Sequence, residues 1–81
     1  MAGGGVTKLD ELFVYVMTDD DGTEGVAFFE TAGGVKITMC APEAKGARAL
    51  RPIAEKIAEI HGRPLTLIRF DKRHDMEVLG G

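Results

Sequence analysis

The chain has no tryptophan, a single cysteine and three prolines among its 81 residues. A lone thiol, Cys40, excludes an internal disulfide and a cysteine-rich zinc site, so neither staple can stand in for a packed core. No uncharged apolar stretch approaches the roughly 20 residues that cross a bilayer as a helix. The start of the chain lacks the basic-then-apolar pattern of a secretory leader, and the expectation is a cytoplasmic protein without membrane contact. Basic residues are scarce in the first half: residues 1–41 carry only Lys8 and Lys36 against seven acidic side chains. Residues 42–81 carry eight basic against six acidic. The concentrated basic face of nucleic-acid readers is missing, which makes nucleic acid an unfavoured partner. Glycine-rich nucleotide motifs, the G-x-S-x-G elbow and the H-E-x-x-H helix are also missing, and no cofactor is expected.

What remains is the composition of a small folded chain, 44% hydrophobic and 28% charged with a net charge of −3. The length allows one small α+β domain over residues 1–81, and such a domain buries only about 60% of the surface that its unfolded chain exposes. Gly3–Gly5 cannot pack, so residues 1–8 read as a flexible end, and residues 76–81 read as another.

Leu12 to Thr18 is rich in β-branched and aromatic residues and reads as a strand apolar on both faces. Asp21-Gly22 marks a hairpin turn into a second strand, Val26 to Glu30, and Gly33-Gly34 marks a turn into a third, Val35 to Ala41. In that third strand Val35, Ile37 and Met39 share one face, and Lys36, Thr38 and Cys40 share the other. Ala47, Leu50, Ile53, Ala54, Ile57, Ala58 and Ile60 then recur at helical spacing. Pro52 is tolerated in a first turn but not deep in a helix, so the helix is expected to begin near Ala47–Ala49, after a loop over Pro42–Gly46. His61-Gly62 closes it with a left-handed glycine cap. Leu65 to Phe70 reads as a fourth strand, and Met76 to Leu79 as either a short fifth strand or a tail.

The order β-β-β-α-β predicts an antiparallel three-strand meander. A right-handed crossover then returns the fourth strand parallel to the first, in spatial order 3-2-1-4. One helix roofs one sheet face. Phe13, Tyr15, Phe28 and Phe29 cannot all fit beneath it, so some apolar surface is expected to seek a partner. With Arg69 and Arg73, these four rings are the candidate interaction residues. The leading expectation is a non-enzymatic interaction or regulatory module from a bacterium or phage. It would act through a sheet face or edge on a protein partner or on itself as a homodimer.

Two resemblances supply alternatives. The strand order, with Val14-Tyr15-Val16-Met17-Thr18-Asp19 leading to one carboxylate and Asp71 following the fourth strand, is similar to the first half of the ribonuclease-H-like fold. That half-fold is also used by small antitoxin-like proteins. The nuclease resemblance implies two-metal chemistry, which needs carboxylates converging on a phosphate and a glutamate on the sheet side of the helix. Here Leu50, Ile53, Ile57 and Ile60 occupy that side, and Glu55 and Glu59 do not. Leu79-Gly80-Gly81 resembles the tail of ubiquitin-like and sulfur-carrier proteins, which implies activation of the terminal carboxylate. Those families place the helix after two strands, and three precede it here.

The remaining polar clusters have simpler readings. Asp19-Asp20-Asp21 lacks the glycine at the sixth position that a calcium loop needs, and it reads as an acidic turn bonding its own backbone. Cys40 reads as a small hydrophobe and His61 as a helix-terminal residue. Lys72, Arg73 and His74, interleaved with Asp71 and Asp75, read as a solvated turn.

Overall fold

In the computed structural model, which describes residues 9–80, β1 (Leu12–Thr18) is the strand with which three others pair. β2 (Glu24–Val26) pairs antiparallel with its second half, Val16 opposite Val26 and Thr18 opposite Glu24. β3 (Phe28–Glu30) and β4 (Lys36–Thr38) form a separate antiparallel hairpin. β5 (Cys40–Ala41) returns to the first half of β1, with Phe13 opposite Ala41. The second and third strands expected from the sequence are thus each split in two, at Ala27 and at Met39.

The split has a local cause. Tyr15 donates its N–H to the Met39 carbonyl at 3.0 Å, Met39 donates to Ala27 at 2.9 Å, and Ala27 donates to Tyr15 at 2.9 Å. The three bonds form a closed ring from which three two-stranded arms diverge: β1–β2, β3–β4, and β5 with the start of β1. No backbone group at the junction is left without a partner, which is what permits three strands to part there. The three side chains lie together in the buried core with Ala54 and Ile57, and Met39 is wholly enclosed.

Both hairpin arms end in the same turn. Asp19 N–H bonds the Thr23 carbonyl and Gly22 N–H bonds the Asp19 carbonyl, and Thr31, Val35 and Gly34 repeat the pattern. Gly22 and Gly34 have φ of 87° and 84°, a region that disfavours side chains bearing a Cβ.

α1 (Ala44–His61) packs on the hub through Ala47, Ala54 and Ile57, with Leu50 and Ile53 half-buried beside them. It starts earlier than the proline argument allows, and Pro52 lies well inside it. The early start lets Ala47 be buried as part of a helical first turn. That turn lies close to β5: a Cβ on Gly46 would stand 3.0 Å from the Cβ of Ala41. The carbonyl that loses its donor to Pro52 is that of Arg48, and both residues are on the exposed face, where water can replace the missing bond. The C-terminus follows expectation, with Gly62 at φ 65° and its N–H on the Ala58 carbonyl. Ile60 departs from the buried stripe and is 70% exposed, because the helix runs past the sheet at its end.

β6 (Leu65–Phe70) pairs with the whole of β1 on the edge opposite β2 and β5, from Met17–Leu65 to Leu12–Phe70. It runs antiparallel to β1, which corrects the parallel crossover expected in the 3-2-1-4 order. The bend at Met39 brings β5 back antiparallel to β1, so the helix starts from the Phe13 end and returns the chain at the Met17 end. β1 is central as expected, but the order 3-2-1-4 is not formed, because the end of the third strand, β5, pairs directly with β1. Past Phe70 the chain has no regular structure through Gly80, so Met76–Leu79 is a tail and not a fifth strand. The flexible end expected at residues 1–8 lies outside the described residues, as does Gly81.

Two stability measurements probe this arrangement. Tyr15 donates its hydroxyl to the Ala47 carbonyl at 2.8 Å in a buried bond that ties hub to helix. Tyr15→Phe is expected to lower the denaturation free energy by about 1 kcal/mol, and an unchanged denaturant midpoint would show that the bond contributes nothing. Pro52→Ala should raise stability, by up to about 3 kcal/mol from helix propensity alone, visible as a higher melting temperature.

Candidate functional site

An apolar groove of about 520 Å³ lies between the β2–β3 segment and the C-terminal end of α1. Its floor is Met17, Gly25, Ala27 and Phe29, its helical wall is Ile57, Ile60 and His61, and its rim carries Val26, Phe28, Asp19 and Glu30. The groove follows from two local events. The strand break at Ala27 swings β3 away from β1, and α1 extends past the sheet so that Ile60 overhangs the gap.

One wall of the groove is a strand edge that has no pairing strand among the described residues. Ala27 directs both its N–H and its carbonyl inward to the hub. Backbone groups alternate along a strand, so Glu24, Val26, Phe28 and Glu30 direct theirs outward. The turn bonds Asp19–Thr23 and Thr31–Val35 fix the same phase from both ends. Val26 and Phe28 are also 49% and 48% exposed, so this edge is apolar at its centre and acidic at both ends. The outer edge of β4 presents Lys36 and Thr38 instead, and lysine on an edge discourages pairing. Lys36 holds its ammonium 5.0 Å from the Phe28 ring centre, which keeps that ring at the surface in an ordered position.

The candidate interaction residues separate into three places. Tyr15 is buried under the helix and is not available to a partner. Phe29 packs against the core from the groove floor, and Phe28 stands at the rim. Phe13 shares the helix side of β1 with Tyr15 by alternation and is half-buried at the far end. Arg69 lies opposite Phe13 and pairs with Asp71 at 3.1 Å. Arg73 pairs with Asp75 and donates to the Leu9 carbonyl. The two arginines therefore belong to the end of β1 remote from the groove. Of the four rings only Tyr15 is taken up by the hub; Phe13 and Phe29 are half-buried and Phe28 is exposed. The groove-forming Val26 and Ile60 were not singled out, since Val26 reads as an ordinary strand residue and Ile60 as part of the buried stripe.

The acidic run is a turn that bonds itself. Asp21 Oδ1 accepts from Thr23 N–H at 3.0 Å and from the Thr23 hydroxyl at 2.7 Å. Asp20 takes both guanidinium nitrogens of Arg63 at 2.9 and 3.2 Å, linking the β1–β2 turn to the segment after the helix. Among the described residues no three acidic, histidine or cysteine side chains converge as a metal cluster. Asp19 and Asp71 lie at opposite ends of β1, because β6 runs antiparallel. Cys40 is exposed, which corrects its reading as a buried or half-buried small hydrophobe. Gly80 is exposed, with φ of 73°. No helix among the described residues is long and apolar enough to cross a membrane.

Compared with known proteins, the chain matches no family model, no curated protein and no solved structure.

The two bonds from Thr23, the hydroxyl's first, hold the Asp21 carboxyl below its ordinary value of 3.8. A lowered folded value means the turn gains stability above the ordinary carboxylate range and loses it as pH falls through the folded value. The Thr23 amide resonance should accordingly titrate with a midpoint below 3.8, and Asp21→Asn should abolish that titration.

Proposed function

We propose that this chain is a non-enzymatic protein-interaction module that accepts an extended segment of a protein partner along the free β2–β3 edge. The observation that carries this reading is the pairing of two features at one place. An unpaired row of strand N–H and carbonyl groups borders an apolar groove closed on its far side by a helix. Main-chain bonds to such an edge supply affinity, and a groove beside it selects every second side chain. The acidic ends, Glu24 and Glu30 with Asp19 nearby, favour segments carrying basic residues outside an apolar centre.

β6 shows how the chain itself satisfies the corresponding edge of β1. Six residues, Leu65–Phe70, pair with Leu12–Met17, and Leu65 and Ile68 are half-buried while the other four stay exposed. The β2–β3 edge lacks such a strand among the described residues.

Selection of random peptides displayed on phage against the immobilised protein tests the proposal. Enriched sequences should alternate apolar residues over four to six positions and bind at about micromolar Kd, with Phe28→Glu weakening them at least ~10-fold. Enrichment of nothing, or of peptides that bind Phe28→Glu equally well, would overturn it.

A further inference from the structure

Resting on that reading of the edge, we infer that its occupant is the C-terminal tail of a second copy of this chain, residues 73–79. Met76, Val78 and Leu79 are 93%, 83% and 79% exposed, the most exposed run of large apolar side chains among the described residues. They touch no core, and Met76-Glu77-Val78 alternates as a half-buried strand does.

Charge and register select the fit. With the tail antiparallel to β2–β3 and Val78 opposite Gly25, Met76 falls opposite Ala27 and Arg73 opposite Glu30, so both apolar side chains share the groove face with Ala27 and Phe29. Glu77 then stands beside Val26 and Asp75 beside Phe28, on the other face, where Lys36 lies over the Phe28 ring, and no carboxylate meets another. Lys72 follows Arg73 past the acidic end of the edge. Sliding the tail by one residue either way would turn Asp75 and Glu77 onto the groove floor. Direct pairing of two β2–β3 edges about Ala27 would set Glu24 against Glu30 twice. The tail is thus the better complement.

The tail cannot take this place in its own copy. It leaves β6 at Phe70, beside Leu12, on the edge of β1 opposite β2. Arg73, which would lie opposite Glu30, is three residues further on, a reach of at most ~11 Å. β1 and β5 and the β3–β4 arm lie between that point and Glu30. The groove of one copy and the tail of another are therefore donor and acceptor in an intermolecular strand addition.

A complementation experiment decides this. One variant lacks residues 76–81 and keeps the groove; the other, Ile60→Glu, keeps the tail and blocks the groove at an exposed helix position. By sedimentation velocity at up to about 1 mM, the intact chain should self-associate. Each variant should do so at least ~10-fold more weakly, and an equimolar mixture should form a one-to-one complex. A synthetic peptide of residues 71–81 should shift the amide resonances of Val26, Phe28 and Ile60 in the truncated variant. Self-association that survives truncation, or an intact chain that stays monomeric with a peptide that shifts none of these amides, overturns the inference. If displayed peptides still bind the edge in that event, the interaction module stands and only its occupant was misassigned; if none binds, both fall.

Discussion

The structure depends on the ring of three backbone hydrogen bonds among Tyr15, Ala27 and Met39. A chain of this length has too little apolar material to cover a conventional flat sheet on both sides. The ring changes that balance. It turns three strands into three diverging arms and points the three hub side chains to one side, where a single helix covers them. The Tyr15 hydroxyl on the Ala47 carbonyl then fixes the helix on the hub by a bond in a region that excludes water. The glycine at 46 belongs to the same economy, because a Cβ there would stand 3.0 Å from that of Ala41.

The junction also creates the candidate site. Strands that meet in a ring turn their outer edges to solvent, and a fold built this way has three such edges to manage. β6 covers the one along β1, and Lys36 blunts the one along β4. The β2–β3 edge has no covering strand among the described residues and no lysine of its own, although Lys36 reaches across to the Phe28 ring, and its acidic ends define a partner more than they prevent one. Divergence of β3 and the overrun of α1 leave the groove next to this edge. Binding surface and fold therefore share one cause.

Much of this was legible in residues. Leu12–Thr18 and Leu65–Phe70 have the limits that their β-branched and aromatic content implies, and Gly62 ends the helix as its position dictates. The twelve-residue recurrence of Gly22 and Gly34, matched by that of Tyr15, Ala27 and Met39, is the trace that the hub leaves in the sequence. It passes unnoticed because only the turns carry a recognisable residue, while the hub positions hold three dissimilar side chains. The helix start was misjudged for a definite reason: propensity places Pro52 in a first turn, but burial of Ala47 against β5 outweighs the one bond the proline removes. The candidate site was legible only in part. Phe28 and Phe29 belong to it, whereas Tyr15 is consumed by the core and the arginines lie elsewhere.

By itself the sequence determined which segments are extended and which is helical, because these follow from local periodicity and composition. Only the tertiary structure decided the direction of β6, the break of two strands at Ala27 and Met39, and the place where apolar surface remains exposed. Each of those depends on bonds between residues twelve or more positions apart, which no local pattern encodes.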